Sequence, residues 1–248
     1  MDARRLSYLR ALDLDVWERR AVSSAAAASF AEPETAAVAH PPPVPPAQAE
    51  ATDVAALDWN DLEQRVRGCV KCALHSTRTQ TVFGVGNRSA KWMIIGEAPG
   101  AEEDRQGEPF VGRAGQLLNS MLQAIGLRRQ DVFIANILKC RPPNNRDPSP
   151  QEMRCCQPYL RRQIALVDPT LILCVGRIAA QTLLQTDVTV GKLRGRVHSL
   201  GPDARPLIVT YHPAYLLRSP GEKRKTWQDL VLAMQTFDSV SRTAGGVV

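Results

Sequence analysis

Four short apolar runs, each followed by a stretch with helical spacing, constrain this chain more than any other feature. They are "KWMIIGEA" from Lys91, "DVFIANILKC" from Asp131, "TLILCVG" from Thr170 and "RPLIVTYH" from Arg205. Runs this short and this continuously apolar read as strands buried on both faces, as in a parallel sheet. The segments that follow them are "AGQLLNSMLQAIG", "SPQEMRCCQPYLRRQIALV", "RIAAQTLLQ" and "KTWQDLVLAMQTF", and all four carry helical patterning. Strands alternating with helices predict an α/β fold, a three-layer α/β/α sandwich around a central, mostly parallel four-stranded sheet.

The alternation begins only after a change of texture. Residues 21–57 are rich in Ala and Pro and poor in large apolar side chains, which is the composition of a linker. Residues 1–57 are therefore expected to be largely disordered, and residues 58–248 to form the folded domain. Ahead of the linker, Leu6, Leu9, Leu12 and Trp17 could share one face of a short helix. That face is either a frayed amphipathic tail or a peptide in residues 1–20 that docks on a protein partner. No run approaches the roughly 20 apolar residues of a membrane span. The charged N-terminus lacks the apolar centre of a secretory signal. A cytoplasmic, monomeric chain with no membrane association is expected. Thiols stay reduced in that compartment, so clustered cysteines point to metal or catalysis before disulfides.

The net charge of +6 conceals an asymmetry. Residues 1–60 hold 5 Lys/Arg against 9 Asp/Glu, and residues 61–248 hold 26 against 16. A domain this basic suits a polyanion, with nucleic acid the first candidate.

Ligands of open parallel sheets bind beyond the carboxyl ends of the strands. Glu97 follows the first strand, Asn136 sits near the end of the second and His212 ends the fourth, so three polar residues far apart in sequence point toward one crevice. "GEAPGAEED" leaves the first strand through a Gly-Pro-Gly turn whose backbone N–H groups can hold a carbonyl-bearing ligand. Its carboxylates Glu97, Glu102, Glu103 and Asp104 could bind a hard cation, serve as bases or merely be solvated. Phe110, between glycines in "GEPFVGRAG", is either a stacking platform for a flat ligand or a plug over the core. Asn136 in an apolar strand must satisfy its amide, against backbone or against the edge of a base.

Cys69 and Cys72 form C-x2-C, and Cys140 with one of Cys155 and Cys156 could complete four thiolates. Such a set suits structural zinc or an iron–sulfur cluster alike. Ser149, Pro150 and Glu152 announce a helix start. From there Met153, Cys156, Leu160, Ile164 and Val167 share one apolar face, with Cys155 rotated about 100° away. Helix phase thus favours Cys156 as the inward thiol, although Pro158 is expected to kink or restart the helix. Cys174, mid-strand, reads as a small buried hydrophobe.

Taken in order, "GEAPGAEED", "PFVGRAGQLL", "NILKCRPPNNRDP" and "HPAYLLR" resemble the family 4 uracil-DNA glycosylases, enzymes with a [4Fe–4S] cluster, over about residues 65–237. The resemblance implies a repair enzyme that flips deoxyuridine from single- or double-stranded DNA and hydrolyses its N-glycosidic bond. It implies Cys69, Cys72, Cys140 and Cys156 as cluster ligands, with Cys155 a bystander; a structural role for the cluster is expected, a redox or charge-sensing role being the alternative. It maps the uracil pocket to Glu97, Ala98, Glu103, Phe110, Asn136 and His212, with Glu103 excluding the methyl of thymine. Glu97, Asn136 and His212 are the implied catalytic residues. Leu216 is the candidate wedge into the vacated stack, and Arg113, Arg218 and the 222–225 cluster are candidates for phosphate contact. The basic insertion of covalently bonding relatives is missing, so ordinary turnover is expected. Two rivals are a non-catalytic zinc-containing nucleic-acid-binding module and a hydrolase or transferase of free nucleosides.

Overall fold

The computed structural model describes residues 53–245. The docking peptide expected in residues 1–20, and the linker as far as residue 52, lie outside the described residues.

The chain enters through helix α1 (Trp59–Arg67), where the Asp58 carboxylate accepts from the N–H groups of Asn60 and Asp61. That is an N-cap which satisfies donors left over at a helix start. The cysteine pair Cys69 and Cys72 follows, and then strands β1 (Val85–Gly86) and β2 (Trp92–Gly96). Helices α2 (Ala101–Gln106) and α3 (Arg113–Ala124) lead to β3 (Phe133–Asn136), and α4 (Pro150–Val167) leads to β4 (Leu171–Val175). Helices α5 (Arg177–Leu184) and α6 (Val190–Leu193) precede β5 (Val197–Leu200) and β6 (Arg205–Thr210). Helices α7 (Pro213–Arg218) and α8 (Lys223–Gly245) close the described chain.

The sheet runs in the order β1-β3-β2-β4-β6-β5. Its four central strands are parallel and are the four apolar runs of the sequence; β1 and β5 are antiparallel edges. The sheet therefore has six strands rather than four. The two extra strands escape a search for apolar runs for a physical reason. β1 is two residues long and contains a glycine, and β5 alternates exposed with half-buried positions. An edge strand covered on one side needs no apolar run.

Alternate residues of the central strands feed two separate cores. Met93, Ile95, Ile172 and Cys174 pack with Cys156, Leu160 and Ala179 of α4 and α5 on one face. Trp92, Ile94, Leu171 and Leu173 pack with Leu118 and Leu122 of α3 and Leu230 and Ala233 of α8 on the other. Those are the three predicted layers. A smaller cluster joins Val54, Leu62, Val66, Phe83 and Tyr159. Val54 is only 1% exposed, so the packed part reaches past Asp58 into the stretch read as linker. Ser149 and Glu152 form the expected capping box of α4, and the helix runs through Pro158 as one 18-residue element without the expected restart.

Candidate active site

Parallel register sets the carboxyl ends of the central strands side by side. Gly96 pairs with Asn136, and Val175 with Thr210. Beyond this edge opens a cavity of about 730 Å³, lined among others by Glu97, Ala98, Glu103, Phe110, Asn136, His212 and Arg218. The six residues expected to form the pocket thus share one cavity.

Two close approaches explain why glycine closes β2. A Cβ at Gly96 would stand 2.5 Å from Asn136 Oδ1 and 2.6 Å from Phe110 Cζ, so both side chains lean on a surface that only glycine leaves open. Phe110 itself has φ 54°, a left-handed conformation costly for a side chain of its size. Its carbonyl accepts from Arg129 Nη1 at 3.1 Å, and Arg129 Nη2 holds the carbonyl of Pro109. A Cβ at Gly115 would come within 1.8 Å of that same Phe110 oxygen. The ring is 6% exposed and lies 5.6 Å from the His212 ring at an interplanar angle of 30°.

The acidic run divides its labour. Glu103 Oε1 accepts from the N–H groups of Val111 at 3.1 Å and Gly112 at 3.3 Å, and Oε2 from Gly100 at 3.1 Å. It therefore ties the turn after β2 to the loop that carries Phe110. Asp104 is buried and accepts from the N–H of Thr79 at 3.0 Å, anchoring the segment after the C-x2-C pair. Glu102 is exposed and pairs with Arg105. Only Glu97 and Glu103 face the cavity, so the run is not a cation cage.

Asn136 is 2% exposed, and its Oδ1 has no hydrogen-bond partner among the described residues. A buried carbonyl oxygen left without a donor is uncommon and calls for a ligand that supplies one. His212 caps α7, its Nδ1 accepting from the N–H of Ala214 at 3.1 Å. With Nδ1 an acceptor, the proton of the neutral ring sits on Nε2. Burial, aided by Arg218, depresses the pKa of His212 to about 4, so the ring is neutral near pH 7. Burial raises the pKa of Glu97; the charge of Asp147 adds to the rise and that of Arg177 opposes it.

Arg218 lines the cavity, whereas Arg113 is exposed at the start of α3 and is not among the lining residues. Lys223 and Arg224 are exposed and stand apart from the cavity lining, and Lys225 pairs with Glu222. Leu216 does not suit the wedge role. It is 1% exposed and packs in the core with Leu118 and Leu230, while its neighbours Tyr215 and Leu217 are each 37% exposed. Sequence reasoning missed Arg177, Asn145 and Arg146, which also line the cavity. Arg177 was within reach of the strand-end rule that found Glu97, because it follows β4 after a single glycine.

Cys140 and Cys156 are buried, and Cys69 and Cys72 half-buried. The charge of Cys140 bears on Cys72 and on Cys156, and that of Cys69 on Cys72 and Cys140, so the four thiols are neighbours. Arg78 Nη1 donates to Cys140 Sγ at 3.0 Å. Cys156 lies on the inward face of α4; burial pushes its thiol up to about 12, opposed by a hydrogen bond from the backbone N–H of Lys139. Such protonated, enclosed thiols are poor nucleophiles but sound metal ligands once deprotonated by binding. Cys155 instead donates to the carbonyl of Lys71 at 3.3 Å. Among the described residues no three His, Cys, Asp or Glu side chains form a ligand group for a single metal ion. A multi-iron cluster does not need such a group, because its thiolates bind different irons. Four thiols with N–H···S donors fit that chemistry.

Among the described residues no helix is long and apolar enough to cross a membrane. A profile of the Uracil DNA glycosylase superfamily matches residues 83–231. The chain is 47% identical over 167 residues to the type-4 uracil-DNA glycosylase of Archaeoglobus fulgidus, covering 65% of this chain and 84% of that protein. It is 44% identical over 160 residues to the type-4 enzyme of Thermotoga maritima, covering 64% and 82%. It is 30% identical over 149 residues to the type-5 uracil-DNA glycosylase of Thermus thermophilus, covering 53% and 68%. With nearly the whole of the type-4 proteins matched, and the strand-end cavity built from the motifs of the chain, the protein belongs to the uracil-DNA glycosylase superfamily and, within it, to the type-4 enzymes.

Proposed function

We propose that the protein excises uracil from DNA by hydrolysing the N-glycosidic bond of a flipped deoxyuridine. The observation that carries the reading is the Oδ1 of buried Asn136, which lines the cavity and has no partner among the described residues. An acceptor there is matched by the N3–H of uracil; cytosine presents an acceptor at the same position and would leave two lone pairs opposed. Mispairing a buried polar group costs about 1–3 kcal/mol, enough to discriminate between bases that differ in one edge. Phe110 offers its face to the base. Glu103, held by three N–H groups, walls the site on the side assigned to C5, where the methyl of thymine would collide.

As the C1′–N1 bond stretches, its electron pair moves onto uracil and positive charge grows on the sugar. Neutral His212 is a donor through Nε2–H toward O2 of the departing base, and fixed donors of this kind can contribute about 3 kcal/mol. Water then adds to C1′ and loses a proton. Ionised Glu97 serves this step, by accepting that proton or by stabilising the sugar cation beforehand. Arg218 and Arg177 suit the flanking phosphates, and Leu217 or Tyr215 suits the gap left by the flipped nucleotide.

Cys69, Cys72, Cys140 and Cys156 would hold a [4Fe–4S] cluster, which supplies cross-linking of the C-x2-C segment to the Cys140 loop and to α4. Catalysis by this domain is proposed for a monomer in the cytoplasm, on single- or double-stranded DNA. Residues 1–20 are proposed to dock on a protein partner, on the strength of the Leu6, Leu9, Leu12 and Trp17 spacing. Incubating iron-loaded protein with a uracil-containing oligonucleotide, then treating with alkali, tests the central claim. Strand scission at uracil is expected, and an intact strand overturns the proposal. A protein without absorbance at about 400 nm that holds one zinc overturns the cluster.

A further inference from the structure

Lys139 is the most anomalous charged residue among those described. It is 1% exposed and has no salt-bridge partner among the described residues, although burying an ammonium is costly. Its Nζ donates instead to two oxygens, the backbone carbonyl of Asn136 at 2.9 Å and Gln163 Oε1 at 2.6 Å. Gln163 is 0% exposed and passes the chain on, its Nε2 donating to the carbonyl of Phe83 at 2.9 Å. The backbone of Lys139 is fixed too, its carbonyl accepting from the N–H of Val82 at 2.8 Å.

This arrangement bears on a weak point of the pocket. β3 ends at Asn136, and the chain then leaves the ladder toward Cys140. Ile137 N–H and Leu138 N–H still bond to the carbonyls of Gly96 and Glu97, which fixes the strand that follows Asn136. The Asn136 carbonyl itself is held by Lys139 Nζ. Asn136 lines the cavity, and among the described residues its Oδ1 is a buried oxygen without a partner, so the direction of the amide depends on how its own peptide is held.

We infer that Lys139, anchored by Gln163, is a positioning residue that fixes the Asn136 peptide and so aims the amide which reads the base. The inference rests on the proposed reading of Asn136. Lys139 does not touch substrate; it acts through Asn136 alone.

The test is a double-variant cycle on iron-loaded, full-length protein. Lys139→Met keeps the length of the side chain and removes its donors. Gln163→Met removes the anchor and leaves the segment between β3 and Cys140 untouched. Each is measured alone and together with Asn136→Ala, for single-turnover excision rate and for affinity to uracil-containing DNA. Both single variants are expected to lose rate, by about 10- to 100-fold for Lys139→Met, as misplacement near 1 Å costs. DNA affinity is expected to stay within about twofold, because phosphate contacts dominate it. Adding either variant to Asn136→Ala is expected to cost nothing further, since the residue through which Lys139 works is already gone. A merely structural lysine gives multiplicative losses, and that result overturns the inference. If Lys139→Met does not accumulate as folded protein, Gln163→Met carries the same cycle alone, and an undiminished rate overturns the inference. If Asn136→Ala itself keeps full rate, the reading of Asn136 fails instead, which separates the two failures.

Discussion

Replacing Gly96 with alanine adds one methyl group at the point where two residues proposed to contact the base meet. A Cβ there lies 2.5 Å from Asn136 Oδ1, 2.6 Å from Phe110 Cζ and 2.8 Å from Phe110 Cε2. Ordinary contact begins near 3.4 Å, so each group must retreat by about 0.9 Å, and a misplacement of that size costs about 100-fold in rate. Converted at 1.36 kcal/mol per decade, that is about 2.7 kcal/mol of transition-state stabilisation. Fold stability is expected to change little, because alanine is favoured over glycine inside a strand by about 0.5–1 kcal/mol, which offsets part of the strain. The assay is single-turnover excision from a uracil-containing oligonucleotide, with thermal melting and DNA affinity measured alongside. A loss of about two decades in rate, with melting temperature and affinity nearly unchanged, is the expected result. A rate within twofold of the parent refutes the reasoning, since it means the base does not depend on Asn136 and Phe110 as placed beside Gly96.

The acid limb of the pH–rate profile is expected to belong to Glu97, whose pKa is raised, and not to His212, which protonates only at about 4. Rate needs ionised Glu97, so it falls as pH drops through that raised pKa. Asp147→Asn removes a charge that raises it and frees Arg177 to lower it, so the limb moves to lower pH, and movement upward contradicts the assignment. Cys156→Ser is expected to lose the iron absorbance and Cys155→Ser to keep it; equal retention contradicts the ligand set. Leu217→Ala is expected to slow excision from duplex more than from single strand, while Leu216→Ala lowers stability by about 2–5 kcal/mol as a core truncation. Deleting residues 1–52 is expected to leave excision intact, whereas deleting 1–57 removes buried Val54 and costs about 1.5–3 kcal/mol of stability.

The central layer was legible because a strand covered on both faces must be apolar at every position, and "WMIIG", "FIAN", "LILCV" and "RPLIVT" meet that demand to different degrees. The edges were not. β5, "VHSL", shows alternation without an apolar run, and β1 is held by pairing to Phe133 and Ile134 rather than by anything in its own two residues. Pro158 does not restart the helix. A proline inside a helix removes one hydrogen bond, yet α4 continues because Tyr159, Leu160 and Val167 bury the next turns.

At the site, the residues expected in the pocket line the cavity, Glu103 among them, whereas Arg177, Asn145 and Arg146 were missed and the contacts that hold the lining in place were not legible. Glu97, Asn136 and His212 sit where strands end, and sheet topology alone makes strand ends converge. Lys139, Arg129 and Glu103 act on groups whose closeness only the folded chain creates: Lys139 on Gln163, Arg129 on the carbonyl of Phe110, Glu103 on the N–H of Gly112. These pairs lie 24, 19 and 9 residues apart in sequence. No local pattern marks these pairs: Phe110 offers only its backbone carbonyl and Gly112 only its backbone N–H, groups that nearly every residue has, and Gln163 Oε1 comes from a separate element. The burial of Leu216 was not legible either, for a different reason. Its place in "HPAYLLR" puts it near the mouth of the site, but which of two adjacent leucines faces solvent depends on the rotation of the short helix α7 against α3. A single leucine's position in a motif therefore gives the neighbourhood of the proposed wedge, and exposure leaves Leu217 and Tyr215, each 37% exposed, as its candidates.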